Sequence, residues 1–325
     1  MEKNGQLTFS DDPFLSGTTE MASLIETGDF AQATLKGDLL LSKDPHYPGL
    51  EALYRTARFW QIRAEEAPHK SEGIDRASFL MEQWETYLNY AEEKGITGSL
   101  AFTSVRKFVF YTAAEHYKIA FHKNQTEKFG NLMNLGICFI TLGEYRLAID
   151  TFEYAKSSSK ADAKLLSLLA ESYYQSGEES KAMLLFRDAF SLDPSSIDMS
   201  LIKAKPITDL SLLARKLRPN SRDEREWIPV AGQISDTFYV KKQINTQTLD
   251  SIRKEIFSFE KTYHEQTPEQ REISPVTPRL IVRYLILFDY FTFQNYNYEN
   301  ASQIRDRLIE IDKGMFIDYF KNIRK

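Results

Sequence analysis

Apolar residues recur at helical spacing through the middle of the chain, and the same pattern returns 34 residues later. Leu132, Leu135, Gly136 and Phe139 follow an i, i+3, i+4, i+7 stripe, the face that an amphipathic helix buries. Gly143 stands just past its end, where a left-handed residue ends a helix without a Cβ clash. A second stripe, Ala148, Phe152 and Ala155, predicts an antiparallel partner helix. Its small residues permit close approach, and Phe152 fills the wedge between the two. Over residues 163–194 the eight positions come back in register as Leu166, Leu169, Ala170, Tyr173, Gly177, Ala182, Phe186 and Ala189. Asp193-Pro194 then stops the helix and resets the chain.

Residues 129–160 and 163–194 resemble the tetratricopeptide repeat, whose pattern runs from an aromatic or Leu through Leu-Gly, Tyr, Ala and Phe to Pro. Leu stands in place of the opening Trp in both copies, and Lys160 in place of the first Pro. Two such hairpins need neighbours to cover their faces, so degenerate copies are expected around them. Gly28, Phe30, Ala33 and Pro45 sit at the spacings of Gly177, Glu179, Ala182 and Pro194. A longer hairpin is expected over 50–90, with Leu50, Leu53, Ala57 and Trp60 facing Ala77, Met81, Trp84 and Leu88. Ala113, Tyr117 and Ala120 repeat the second-helix spacing. The expectation is an all-α chain with a flexible N-terminus over 1–13, a helical-hairpin superhelix over 14–218 and a mostly helical C-terminal domain over 219–325.

After Pro206 the periodicity fades. Arg215 to Glu226 is dense in charge and reads as a solvated linker, with an anion-binding patch as the alternative. Trp227 to Ile244 holds β-branched and aromatic residues around Gly232 and predicts a small β-hairpin. Helices are expected over Thr248–Glu265 and Arg279–Phe293, with a Pro-rich loop over Thr267–Pro278 between them. Tyr298-Glu299-Asn300-Ala301 echoes Tyr145-Arg146-Leu147-Ala148, which suggests a decayed hairpin with Arg305 at the wedge position. A short helix with Met315, Ile317 and Phe320 closes the chain. The aromatic run from Tyr284 to Tyr298 reads as core, or as an interface anchor where it is exposed.

Composition narrows the function. A net charge of -5 gives no general affinity for nucleic acid or anionic membranes. The single cysteine, Cys138, excludes an intrachain disulfide and a cysteine-based zinc cluster. The start of the chain lacks the basic and apolar runs of a signal peptide, and the apolar stretch from Leu280 to Phe293 is broken by Arg283 and Asp289. A cytoplasmic protein is therefore expected. No phosphate-cradling glycine loop, His-Glu-x-x-His or Gly-x-Ser-x-Gly motif occurs. No catalytic residues, cofactor or metal follow from the sequence, and an enzyme is not expected.

In the repeat family, the first helix of each hairpin lines a concave face that takes a partner peptide or helix. The resemblance therefore implies partner-binding roles for Met133, Ile137 and Ile140 in one hairpin, and for Lys164, Glu171, Tyr174 and Gln175 in the next. The chain's own C-terminal segment is the competing occupant of that face. A clamp for a terminal carboxylate is not expected, because Met133, Ile137 and Glu171 replace the cations it needs. An apolar or amphipathic segment suits these residues better. The expected function is a protein-interaction scaffold or adaptor. The suggested setting, a bacterial motility or envelope assembly, has no motif behind it. The alternative is an enzyme or regulator with a small-molecule pocket in the C-terminal region, using the repeats to recruit substrate.

Overall fold

The computed structural model describes residues 13–123, 128–158, 162–218, 221–238 and 243–323. Apart from Pro13, the flexible N-terminus expected over 1–13 lies outside the described residues. Among those residues the fold is all-α: sixteen α-helices joined by short 3-10 and π turns, with no strand. The chain forms two compact units, Met1–Ser159 and Lys160–Lys325.

The first unit runs through α1 (Pro13–Thr27), α2 (Phe30–Leu41), α3 (Leu50–Glu66), α4 (Ile74–Glu93), α5 (Leu100–His122), α6 (Lys128–Leu142) and α7 (Tyr145–Ser158). Neighbouring helices pack as α1/α2, α2/α3, α4/α5, α5/α6 and α6/α7, and α5 is the hub, touching α1, α3, α4 and α6. Aromatic rings fill the centre. Phe30 meets Phe108 edge-on at 4.9 Å, and Trp84 lies 5.3 Å from Phe102. Trp60 and Tyr87 are fully buried, and the Tyr87 hydroxyl is satisfied by Thr56 Oγ1 at 2.8 Å. Cys138 is part of this core, where burial pushes its thiol up to about 12.

The hairpin geometry repeats at the level of single hydrogen bonds. At the end of α6, the Gly143 N–H donates to the Ile140 carbonyl and the Glu144 N–H to that of Phe139, with Gly143 at φ 81°. At the end of α1, Gly28 and Asp29 donate to Ile25 and Leu24 in the same way, with Gly28 at φ 83°. This double bond pattern satisfies the last helical carbonyls and needs a residue that tolerates positive φ. In the second unit, Gly177 and Glu178 reproduce it at the end of α8 (Ala163–Gln175).

Large and small residues face each other across each hairpin, but not always on the same side. In α6/α7 the buried Phe152 ring occupies the space opened by Gly136. In α8 and its partner α9 (Glu179–Leu192), Ala170 and Phe186 are both fully buried. In α1/α2 the sizes are exchanged: Met21 on the first helix reaches to 2.9 Å from where a Cβ on Gly37 would sit.

The second unit continues from α8 and α9 through 3-10 turns at Pro194–Ser196 and Met199–Leu201 to α10 (Lys205–Leu217). A 3-10 turn at Glu224–Trp227 leads into α11 (Ile228–Ile234), followed by α12 (Thr246–Glu265), α13 (Pro268–Ile273), α14 (Val276–Asp289), a π-helical turn at Tyr290–Gln294, α15 (Tyr298–Ile311) and α16 (Lys313–Ile323). The apolar helix α14 is central, packed by α11, α12 and α15. Helix α10 packs on the 224–227 turn and on α11, so the expected boundary at 218/219 falls inside this unit.

Three local expectations need correction. The β-hairpin over 227–244 is replaced by helix through Ile234, while 239–242 lie outside the described residues. Pro229 sits in the first turn of α11, where it suits a helix start, and a Cβ on Gly232 would fall 2.1 Å from the Phe238 ring that folds back on it. The loop over 267–278 is largely helical: Thr267 and Gln270 form a reciprocal capping box at the start of α13, and Pro278 lies in the first turn of α14. The linker expected over 215–226 keeps Arg215, Lys216 and Arg222 exposed, but its end is held in the core. Glu226 and Trp227 are buried, and Glu226 pairs with Arg279 at 2.6 Å.

Candidate functional site

The residues expected to line a partner groove divide into those taken up by the chain and those left accessible. On α6, Met133 is 6% exposed and Ile140 8%, while Ile137 is half-buried. Met133 and Ile140 thus offer no free surface, which corrects their expected partner-binding role.

On α8 the correction is sharper. Glu171 is 1% exposed. Its Oε2 accepts the Ala204 backbone N–H at 3.0 Å, and its Oε1 accepts Gln175 Nε2 at 2.7 Å. The carboxylate therefore anchors the entry to α10 and orients Gln175, instead of meeting a partner. The returning segment buries Ile197, Ile202 and Ala204. The chain thus fills part of the inner face of α8 with its own residues. Tyr174 and Gln175 remain half-buried, and Lys164 is exposed.

Lys164 borders an open cavity of about 810 Å³ inside the second unit. One wall is the Ser196–Ser200 segment, and the other is formed by Arg215, Arg218 and the Ser221–Arg225 loop. The walls are tied together where Arg225 Nη1 donates to the Ile197 carbonyl at 3.0 Å. Asp198 caps its own turn by accepting from the Ser200 N–H at 3.0 Å and from the Ser200 hydroxyl at 2.6 Å.

Three of the arginines have carboxylate partners. Arg215 donates to Glu224, with Nη2–Oε1 at 2.7 Å, and holds that carboxyl below the usual carboxylate range. Arg225 pairs with Asp223 at 2.7 Å. Burial works against the Asp223 charge, but hydrogen bonds from the Arg225 side chain and backbone outweigh it and keep that pKa lowered. Arg218 pairs with Asp312, and its guanidinium carbon lies 4.7 Å from the centre of the Trp227 ring. Lys164 and Arg222 form no ion pair among the described residues.

The charge density of 215–226 is visible in the sequence, but its proximity to Lys164 and to 196–200 arises only in the fold. The local signal is a run of basic residues, Arg215, Lys216, Arg218 and Arg222, followed by the mixed charges of Asp223 to Glu226. The aromatic run resolves into two parts: Tyr284, Phe288 and Phe291 are buried, while Phe293, Tyr296 and Tyr298 are exposed. Among the described residues, no His, Cys, Asp and Glu side chains gather in a group able to hold a metal, and no helix is long and apolar enough to cross a membrane. Comparison of the chain with protein-family models, with curated proteins and with solved structures gives no match.

Proposed function

We propose that this protein is an interaction module of the tetratricopeptide type, a scaffold or adaptor that binds a partner protein through its helical hairpins. The observation that carries the reading is the shared hairpin cap at Gly28, Gly143 and Gly177, combined with a large residue packed into a small one across the hairpin. Buried Met133 and Ile140 and the engaged Glu171 move the partner surface away from the inner faces of α6 and α8. Among the accessible apolar residues of the first unit, two pairs share a helix face at turn spacing: Leu35 and Leu39 on α2, at 61% and 54% exposure, and Leu147 and Tyr154 on α7, at 45% and 53%. An amphipathic helix suits such i, i+4 and i, i+7 pairs.

Affinity purification from a native lysate, with partners identified by mass spectrometry, tests this. Wild-type protein should retain discrete partners. Leu35→Asp with Leu39→Asp, or Leu147→Asp with Tyr154→Asp, should lose them while the helical circular-dichroism spectrum is kept. Equal recovery by both double variants would overturn the reading. The cavity of the second unit supports a second reading, a regulator with a small-molecule pocket, and retention of a small ligand without protein partners would favour it.

A further inference from the structure

We propose that the cavity of the second unit is a binding site for a single phosphate-type oxyanion, held by Lys164 and Arg222. The inference stands apart from partner binding by the hairpins. It rests on how charge is distributed around the cavity. Arg215, Arg218 and Arg225 are each matched by a carboxylate, which fixes their guanidinium planes and cancels their charge. Lys164 and Arg222 line the same cavity and have no such match among the described residues. Asp198 is the one lining carboxylate with no cation partner among the described residues, and it offsets one of these charges. The net positive charge of the cavity therefore lies on these two side chains, one from the first turn of α8 and one from the 221–225 loop.

Their chemistry selects the ligand. A guanidinium presents a planar fork of donors, and an ammonium acts as a compact point charge. A carboxylate saturates its two oxygens on one fork. A phosphate group carries up to two charges at neutral pH and three strong acceptor oxygens, enough for a fork and a point charge together. Arg215 and Arg225 are already engaged by Glu224 and Asp223, which leaves the anion to Lys164 and Arg222.

The same surroundings exclude an extended polyanion. Asp198 lines the cavity as a carboxylate, and the chain carries a net charge of -5. A nucleic-acid backbone would meet repulsion on either side of the two cations, whereas one discrete group does not. The volume, about 810 Å³, leaves room for the molecule that carries the anion. That carrier is either a free phosphate compound or a phosphorylated side chain of another protein.

Titration calorimetry of the full chain with inorganic phosphate, against sodium chloride matched in ionic strength, tests the site. Binding to one site is expected. Lys164→Gln and Arg222→Gln should each weaken it at least tenfold, with melting temperatures in chloride unchanged, since both side chains are exposed. Phosphate affinity should also fall as pH drops below about 6, where the dianion takes up a proton, while sulfate affinity should not. Binding no stronger than the chloride control, or equal binding by wild type and both variants, would overturn the proposal. A parallel titration with O-phosphoserine separates the sources. Tighter binding than inorganic phosphate assigns the site to phosphorylated side chains, and equal or weaker binding assigns it to free phosphate compounds. Loss of phosphate binding in these variants with partner recovery intact would leave the adaptor reading untouched.

Discussion

Phe152 packs so closely on Gly136 that a Cβ added to the glycine would fall 2.3 Å from the phenylalanine ring. No real side chain tolerates that distance, and Phe152 is fully buried, so the ring cannot swing aside. The pair sets how closely α6 and α7 approach. Phe152→Ala should cost roughly 3–5 kcal/mol through lost burial and a cavity. Gly136→Ala would gain about 1 kcal/mol of helix propensity at an exposed site. Here overpacking should reverse the sign, to a loss of about 1–3 kcal/mol. Urea denaturation of Gly136→Ala, of Phe152→Leu and of the two combined measures the coupling. Simple additivity would show that the two residues do not share one space.

The clasp between Glu171 and Ala204 holds the segment that covers α8. Glu171→Ala leaves the buried Ala204 N–H without its acceptor and should cost about 1–3 kcal/mol. Glu171→Gln keeps an oxygen in reach and should cost less. Amide exchange at Ala204 is the specific readout: it should speed up in the alanine variant well beyond exchange in α14. Unchanged exchange there would show that the hydrogen bond does not hold the segment down.

Tyr296 stands in the hairpin between α14 and α15 at the position that Gly143 holds between α6 and α7, and its φ is 53°. Helices α14 and α15 pack together there, and the Ala301 N–H donates to the Asn297 carbonyl as Ala148 does to that of Glu144. The cap differs, because the π turn at 290–294 shifts the closing bond by one residue, so that Asn297 donates to Phe291. A left-handed conformation costs an L-residue roughly 1–2 kcal/mol, and the Tyr296 side chain, 66% exposed, recovers little by packing. Tyr296→Gly should therefore stabilise the protein by about 0.5–1 kcal/mol after the added backbone entropy of glycine. A thermal melt showing destabilisation would mean that the ring makes a contact worth more than the strain.

These cases also show what the sequence could reveal. The α6 to α9 hairpins were legible because their signals are local: a 3.6-residue stripe, a glycine at the cap and a fixed 34-residue offset. The exchange of Met21 and Gly37 in α1/α2 was not, because packing conserves the volume of a pair and not the size at one position. Helix α11 was missed because β-branched residues favour strands locally, while Pro229 and the fit of Phe238 on Gly232 decide for helix. Glu171 reads as groove-facing because it lies off the buried stripe of its helix. Its acceptor role depends on an N–H that lies 33 residues away. The cavity was invisible for the same reason. Its walls, 196–200 on one side and Arg215, Arg218 and 221–225 on the other, are joined by the Arg225 bond to Ile197 and by no shared pattern.

Asp289, the last residue of α14, should make stability fall as pH rises. Its carboxyl is pushed up to about 7 by burial and, to a smaller extent, by the charge of Asp236. In the unfolded chain an aspartate titrates near 3.9. Between about pH 4 and pH 7 the folded state therefore holds more protons than the unfolded state, and stability declines with rising pH across that window. Below it the contribution is complete, and above it the contribution is gone. Asp289→Asn removes the charge and should stabilise the protein at pH 8 by on the order of 2–4 kcal/mol relative to wild type, with little difference at pH 4. Asp236→Asn should recover only a minor part of this, since burial is the larger cause. His116 acts in the opposite direction: its pKa is lowered, chiefly by burial, so its contribution grows with pH up to the ordinary histidine value. Comparing wild type with Asp289→Asn at each pH cancels that background. Urea denaturation at pH 4, 6 and 8 provides the comparison. A wild-type-to-variant difference that stays constant across the three would show that Asp289 is ionised throughout and that its environment is more polar than its burial implies.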